Sequence, residues 1–136
     1  MAENLHLTLV FLGECDEKQA SAARCAMDAV VFEPFEFTLG RVGRFKRDGG
    51  DVWWVAGEPP AALLELQRGL TDRLIRDGFR LDRRKYSPHI TLGRKVVTDA
   101  VPWQVEPFGE TVRSIELMKS ERIDGKLTYT PIYVKN

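Results

Sequence analysis

Two kinds of hydrophobic spacing alternate along the chain, and each predicts a different type of secondary structure. Leu5–Leu12 is rich in β-forming residues and its first positions alternate apolar with polar, which predicts a strand that Gly13 ends. Asp16 then stands three residues before Gln19, as in a helix N-cap, and apolar residues follow at helical spacing. A helix is therefore predicted over about Asp16–Phe32.

Beyond Pro34 the spacing returns to a period of two. Phe35–Leu39 alternates apolar with polar residues, and Asp51–Ala56 is a second β-rich run. The stretch 46–50 between them has the sequence Lys-Arg-Asp-Gly-Gly, which is typical of a turn. Together the two runs predict a β-hairpin.

The second half of the chain predicts a helix, a strand and another hairpin. Four leucines form one helical stripe over Leu63–Leu74, between a Pro-Pro start and the natural stop at Gly78. Tyr86–Leu92 is a further strand, and Val112–Lys119 pairs with Leu127–Val134 around an Asp-Gly turn. This order of strands and helices predicts a mixed α+β domain.

Composition limits the classes of function. With 136 residues, 43% of them hydrophobic, the chain is expected to form one globular domain, 1–136. Its 20 basic and 20 acidic side chains cancel, which excludes the broad positive field that drives general nucleic-acid binding. No apolar run approaches the roughly 20 residues of a membrane span, and the N-terminus lacks a signal-peptide pattern, so a cytoplasmic location without membrane contact is expected.

Cysteine spacing gives no metal or redox motif. Cys15 and Cys25 are ten residues apart and neither belongs to a Cys-x-x-Cys pair. Two ordinary reduced thiols are the better interpretation.

The candidate catalytic residues belong to a short sequence motif that occurs twice. The chain has only two histidines, and His6-Leu7-Thr8-Leu9 recurs as His89-Ile90-Thr91-Leu92. Side chains two apart on a strand share a face and lie about 6.6 Å apart, so each motif presents an imidazole and a hydroxyl together.

Two imidazoles that face one phosphate suit acid-base catalysis. The unperturbed pKa of imidazole is near 6.5, so one ring can donate a proton at neutral pH while the other accepts one. Threonine hydroxyls can hydrogen-bond the phosphate oxygens. A single His-x-Thr motif is more often a half-exposed polar face, but the matched pair favours function. A zinc site is a weaker alternative, because two histidines without a nearby Cys or paired carboxylate supply too few ligands.

The motif blocks resemble a known family. Residues 3–14, which include Glu3-Asn4-Leu5-His6 and Phe11-Leu12-Gly13-Glu14, and residues 87–94, Ser-Pro-His-Ile-Thr-Leu-Gly-Arg, resemble the two motif blocks of the 2H phosphoesterases. The specific likeness is to the bacterial LigT-like RNA 2′,3′-cyclic phosphodiesterases, also called 2′-5′ RNA ligases. It spans nearly the whole chain.

The resemblance implies a fold and a reaction. The implied fold is bilobal, with two antiparallel sheets related by pseudo-two-fold symmetry around a central cleft and helices on the outside. The implied reaction is hydrolysis of a 2′,3′-cyclic phosphate on an RNA end or nucleotide to a 2′-phosphate, with reversible 2′-5′ ligation in some members and no metal or cofactor. By position, His89 would be the general base, His6 the general acid, and Thr8 and Thr91 the phosphate ligands.

Three further residues are candidates for substrate binding. Arg94 matches a recurrent arginine of the family, although five residues past His89 a straight strand would point it to the opposite face. A bulge at Gly93 would correct this, or the side chain could reach the pocket from the strand end; an ordinary surface arginine is the alternative. Tyr86 and Phe45 are placed to stack on a base, with core packing as the alternative. Basic side chains at 41–47 and 80–85 form a solvated charged face, some of which could guide an RNA end.

The chain departs from the family at its start. Members usually have another strand and helix before the first motif, whereas only Met1–Leu5 precede His6. Three accounts are open: the start is shortened, a second chain completes this lobe, or a smaller natural variant protects its sheet edge in another way. A homodimer or strand exchange is favoured, because an uncovered sheet edge is prone to association. A module that binds nucleotides or RNA ends in the same pocket without turnover is the alternative to an enzyme.

Overall fold

The computed structural model describes residues 6–81 and 86–136. Leu5, where the first strand was predicted to begin, and residues 82–85 of the basic stretch lie outside the described residues. None of the described helices combines the length and apolarity needed to cross a bilayer.

The first helix, α1, spans Glu17–Ala29 and begins at the predicted cap. The Asp16 carboxylate accepts a hydrogen bond from the Gln19 backbone N–H at 2.8 Å, and the Gln19 side-chain oxygen accepts one from the Asp16 N–H at 2.9 Å. This reciprocal capping box satisfies two backbone groups at once. The helix ends three residues before the predicted Phe32, because the β-branched Val30 is already extended, at φ −88° and ψ 127°.

The second helix, α2, spans Ala61–Arg76, as its leucine stripe predicted. Gly78 follows it at a φ of +104°, a left-handed conformation that glycine adopts without strain. Leu63 and Leu74, at the two ends of the stripe, are almost fully buried.

A four-stranded antiparallel sheet carries the second motif. Its strands are β1 Phe35–Phe45, β2 Asp51–Ala56, β3 His89–Val96 and β4 Trp103–Val112, in the order β3-β2-β1-β4. The predicted β1–β2 hairpin is confirmed. Strand β3 begins at His89 instead of the predicted Tyr86, after Pro88, which has no N–H for a ladder hydrogen bond.

Strand β4 was missed by sequence reasoning. Its sequence, Trp103–Val112, contains Pro107 and Gly109, which weaken any strand pattern. The strand pairs with β1 at the edge of the sheet, where a proline without an N–H is tolerated.

A two-stranded sheet forms the end of the chain. Strands β5, Ile115–Ile123, and β6, Lys126–Lys135, confirm the second predicted hairpin. The turn residues Asp124 and Gly125 have φ of +52° and +79°, which a two-residue type I′ turn requires.

Helix α2 is shared by two hydrophobic cores. One core joins α1, α2 and β5 through residues such as Met27, Leu70 and Ile115. The other packs α2 on the four-stranded sheet, with Leu63 against residues that include Val55. The described residues therefore form an α+β fold with two antiparallel sheets and two helices, as predicted.

The prediction of a strand over Leu5–Leu12 is wrong for the described residues. From His6 onward the segment makes one isolated antiparallel bridge, between Leu7 and Ile90. The carbonyl oxygens that would otherwise extend a ladder accept hydrogen bonds from side chains elsewhere in the chain.

Truncation of the leucine stripe tests the packing of α2. Leu63 is 1% exposed, so Leu63→Ala should lower the free energy of unfolding by about 2–5 kcal/mol, since it removes buried apolar surface and leaves a cavity. The matched control Leu64→Ala, at a partly exposed position of the same helix, should cost less than about half as much. Urea denaturation measures both, and equal losses would contradict this account of the core.

Candidate active site

One face of β3 carries the polar side chains of the second motif. His89 pairs with Ala56 and Thr91 pairs with Trp54. Directly paired residues in antiparallel strands share a face, so these four side chains lie on one side of the sheet. Val55, on the opposite face, is buried in the core.

The first motif lies against the edge of β3. The antiparallel bridge joins Leu7 to Ile90, the middle residues of the two motifs. Extending this register by one residue on each side places the histidine of each motif opposite the threonine of the other. In this register the two histidines stand at diagonal positions, which in a regular antiparallel pair are about 7–8 Å apart along the backbone and within reach of long side chains.

The backbone around His89 fixes its neutral tautomer. Nδ1 of His89 lies 2.8 Å from the carbonyl oxygen of Ser87. A carbonyl can only accept a hydrogen bond, so Nδ1 carries the proton and Nε2 keeps the lone pair. Ser87 precedes Pro88, which restricts its backbone to extended conformations and so limits the orientation of this acceptor. The arrangement leaves Nε2 able to act as a base.

Aromatic side chains from both sheets pack against the two histidines. The His89 ring lies 5.5 Å from the Phe45 ring, edge to face, and 6.3 Å from Trp54. The His6 ring lies 4.4 Å from Tyr129, a residue of β6, also edge to face. The candidate site is therefore located where the four-stranded sheet and the β5–β6 hairpin approach each other.

Trp54 and Tyr129 were not predicted as site residues. A glycine is the signal that could have found Trp54: a Cβ at Gly43, which pairs with Trp54 across the sheet, would lie 2.2 Å from the indole. Gly43 thus makes room for the ring to lie over β1. Tyr129 has no comparable local signal, because its contact with His6 joins opposite ends of the sequence.

Two arginines are stacked on these aromatic rings. The guanidinium of Arg41 lies 5.4 Å from the centre of the Trp54 ring, and that of Arg47 lies 5.4 Å from the centre of the Phe45 ring. Both arginines are exposed. Positive charge is therefore concentrated beside His89, although the chain as a whole has no net charge.

The predicted bulge is present in β3 beside Gly93, and it changes the face of the sheet on which Arg94 lies. Thr91 pairs with Trp54, but Gly93 pairs with Trp53, so β3 contains one extra residue at this point. The shift puts Gly93 on the face of Trp53 and the next residue, Arg94, on the face of Thr91. Its side chain is exposed there.

Tyr86 is held in a different way from Phe45. Its hydroxyl donates a hydrogen bond of 2.7 Å to the carbonyl oxygen of Thr8, and its ring packs beside the core that α2 forms with the larger sheet. Burial raises the pKa of Tyr86, so the hydroxyl stays protonated and remains a donor.

Other surface features do not add to this site. Among residues 6–81 and 86–136, no three His, Cys, Asp or Glu side chains come together as metal ligands would. Two hollows, of about 290 and 540 Å³, lie away from the histidines. The smaller is lined by the carboxylates of Glu36 and Glu110, which would repel an anionic substrate.

Sequence comparison identifies relatives over most of the chain. The family model described as 2′-5′ RNA ligase superfamily matches residues 2–124. RNA 2′,3′-cyclic phosphodiesterase from Archaeoglobus fulgidus is 34% identical over 126 residues, covering 87% of this chain and 71% of that protein. The Escherichia coli K12 protein of the same name is 32% identical over 133 residues, covering 96% and 74%. The chain spans a smaller share, 38%, of the Geobacillus stearothermophilus relative, which is 36% identical over 121 residues and 83% of this chain.

Solved structures show the same fold. Escherichia coli LigT complexed with 3′-AMP superposes with a TM-score of 0.89 at 29% identity, covering 99% of this chain and 78% of that one. A protein from Thermus thermophilus superposes with a TM-score of 0.77 at 28% identity, covering 96% and 76%. Fold, motif geometry and sequence agree: the chain belongs to the 2′-5′ RNA ligase superfamily.

Proposed function

We propose that this chain hydrolyses the 2′,3′-cyclic phosphate of an RNA end or nucleotide to a 2′-phosphate, with His89 as general base and His6 as general acid. The observation that carries the proposal is the bridge between Leu7 and Ile90, the middle residues of the two motifs, because continuing its antiparallel register supports a diagonal arrangement of both imidazoles on one face. The relatives named RNA 2′,3′-cyclic phosphodiesterase support the choice of substrate.

The roles of acid and base are those that the family resemblance implies, and the hydrogen bond of His89 is compatible with its role as base. With Nδ1 protonated and bound to Ser87, Nε2 of neutral His89 accepts a proton from water, whose oxygen attacks the phosphorus. The bond from phosphorus to the ribose 3′ oxygen breaks, and protonated His6 donates its proton to that oxygen. The product is a 2′-phosphate with a free 3′ hydroxyl. Ligation would follow the same steps with an RNA 5′ hydroxyl in place of water, and the two histidines would exchange roles in the reverse reaction, cleavage of the 2′-5′ linkage.

Two threonines and an arginine are proposed to hold the phosphate. The hydroxyls of Thr8 and Thr91 share the face of the imidazoles and can donate to the non-bridging oxygens. Arg94, turned to the same face by the bulge, would place a guanidinium near the charge that develops on the phosphate in the transition state. The neighbouring Arg41 and Arg47 add to this positive environment.

Phe45 is proposed to stack on the nucleobase. Its ring borders His89 at 5.5 Å and already carries the Arg47 guanidinium, an arrangement that suits a planar base. Of the two aromatic residues that the sequence suggested, Phe45 is better supported than Tyr86, whose ring packs beside the core.

Replacement of each histidine tests the assigned chemistry. His6→Gln and His89→Gln should each lower kcat on RNA ending in a 2′,3′-cyclic phosphate by about 10²- to 10⁴-fold, because each removes one proton transfer. Chromatography that resolves 2′- from 3′-phosphate products measures both rate and outcome. Circular dichroism should show that both variants remain folded.

Two results would contradict this mechanism in different ways. If both variants keep a rate within about threefold of wild type, the two histidines are not the general acid and base. A wild-type protein that binds the cyclic phosphate end tightly without turning it over would instead establish the alternative, a non-catalytic module for nucleotides or RNA ends.

Removal of the Phe45 ring tests base stacking. Phe45→Leu should raise KM for a nucleoside 2′,3′-cyclic phosphate roughly 5- to 150-fold, the equivalent of about 1–3 kcal/mol of lost stacking. Its effect on ribose 2′,3′-cyclic phosphate without a base should be small, since no stacking is lost. Phe108→Leu, at an exposed position of β4, is the matched control and should leave both KM values unchanged. Equal effects on the two substrates would show that Phe45 does not contact the base.

Self-association is also proposed, as a homodimer or an exchange of strands. Among the described residues β5 and β6 pair only with each other, and Ile132 and Val134 of β6 are about half exposed. Unpaired edges with apolar side chains promote association. Sedimentation equilibrium should give a mass near twice the 15.5 kDa of one chain. A single-chain mass at every concentration, in a preparation that hydrolyses the substrate, would exclude a dimer as a requirement for activity.

A further inference from the structure

Among the described residues, the segment that carries the proposed general acid forms a single β-bridge rather than a continuous ladder. This segment, residues 6–9, is called the first-motif segment. Its one β-bridge in the described chain is that between Leu7 and Ile90. Two side-chain hydrogen bonds, to the carbonyl oxygens of Thr8 and Leu9, take the place of ladder hydrogen bonds.

The first of these hydrogen bonds comes from Tyr86. Its hydroxyl lies 2.7 Å from the Thr8 carbonyl oxygen, a short and well-formed contact. The ring is packed beside the core of the larger sheet, so the hydroxyl is held at a defined position. Burial raises the pKa of Tyr86, which keeps this donor protonated. The hydrogen bond therefore fixes the orientation of the peptide group that follows the Thr8 side chain.

The second hydrogen bond comes from Gln67 on α2. Its side-chain nitrogen donates to the Leu9 carbonyl oxygen at 3.2 Å and to the hydroxyl of Thr71 at 3.1 Å. Thr71 is buried, and it lies one turn further along the same helix. The amide is thus oriented by the helix that both cores share, and it ties the end of the first-motif segment to that helix.

Tyr86 also stands next to the residue that orients the other histidine. The carbonyl of Ser87 accepts the Nδ1 proton of His89. Two consecutive residues therefore contact both motifs, one through a side chain and the other through its backbone. Any movement of the Tyr86–Ser87 backbone would shift the first-motif segment relative to His89.

We propose that Tyr86 is a positioning residue for the reaction, with Gln67 in a supporting role. Its hydroxyl holds the first-motif segment so that His6 and Thr8 face the phosphate opposite His89. The inference rests on the proposed acid-base function for its catalytic consequence, whereas the positioning itself is a structural statement that can be measured separately.

Loss of the hydroxyl alone tests the kinetic consequence. Tyr86→Phe keeps the packed ring and should lower kcat for the cyclic phosphate roughly 10- to 100-fold, because misplacement by about 1 Å has effects of this size. KM should stay within about threefold, since the nucleoside contacts are unchanged.

Tyr133→Phe is the matched control. The Tyr133 hydroxyl donates to the Asp28 carboxylate at 2.6 Å, linking β6 to α1 away from the histidines. Both variants remove one tyrosine hydroxyl that donates a hydrogen bond, but the Tyr133 bond is exposed to solvent and screened. Tyr133→Phe should therefore destabilise the fold no more than Tyr86→Phe does, with kcat within about twofold of wild type, and urea denaturation of both variants measures this. Equal losses of kcat in the two variants would reduce the role of Tyr86 to general stability and overturn the proposal.

A second readout does not depend on turnover. The chain has two histidines, so isotope-labelled imidazole gives two sets of NMR signals that His6→Gln and His89→Gln assign. Tyr86→Phe should shift the His6 signals clearly more than Tyr133→Phe does. Unchanged His6 signals would overturn the positioning role, even if the wild-type protein proved inactive and the proposed function failed.

Gln67→Met gives an independent variant if Tyr86→Phe does not fold. It keeps the length of the side chain and removes the donor to the Leu9 carbonyl, so it should shift the His6 signals and lower kcat by a smaller factor. Arg68→Met, on the exposed side of the same helix, is its control and should change neither. If Gln67→Met and Arg68→Met give the same His6 signals and the same kcat, the supporting role of Gln67 is contradicted.

Discussion

The backbone bridge between Leu7 and Ile90 is the contact on which the candidate site depends. Each residue is the apolar centre of a His-x-Thr motif, and pairing the two centres in antiparallel register brings each histidine opposite the threonine of the other motif. A shift by one residue would turn one motif over, so that its imidazole and hydroxyl pointed into the core. A single bridge is a weak constraint on such a register. The side-chain hydrogen bonds from Tyr86 and Gln67 explain how it is maintained.

Helix α2 packs against both parts of the fold that the Leu7–Ile90 bridge brings together. Its leucines enter both cores, so the larger sheet and the β5–β6 hairpin are positioned against the same rigid element. His89 packs against Phe45 of the larger sheet, and His6 packs against Tyr129 of the hairpin. The packing of the two sheets therefore acts on the positions of the two imidazoles together with the register of the Leu7–Ile90 bridge. This is why a stable α2 matters for a site to which it contributes no proposed catalytic group.

Local rules predicted the parts of the structure that local interactions stabilise. The capping box at Asp16, the leucine stripe of α2 and the two hairpin turns depend on residues within a few positions of each other, so the sequence pattern was sufficient. The shared face of the two motifs followed from strand periodicity. The two errors, the missed strand β4 and the wrongly predicted first strand, concern segments whose structure depends on contacts between residues far apart in the sequence. Strand β4 is recognisable only once β1 lies beside it, and the first-motif segment has strand-like composition but, within residues 6–81 and 86–136, a single β-bridge.

Two irregularities in the larger sheet explain how a chain with no net charge presents cations at one place. In β1, Phe37, Leu39 and Val42 are buried. The alternation of buried and exposed side chains therefore shifts by one residue at the irregularity after Leu39. Without that change Arg41 would share the core face; with it, Arg41 lies in the same cross-strand row as His89. The extra residue in β3 does the same for Arg94, which a straight strand would direct to the opposite face. Both arginines thus reach the open face through a local loss of regular pairing. This arrangement concentrates positive charge on the face that carries the proposed phosphate site, and because the chain has no net charge, the remaining residues carry an equal negative excess.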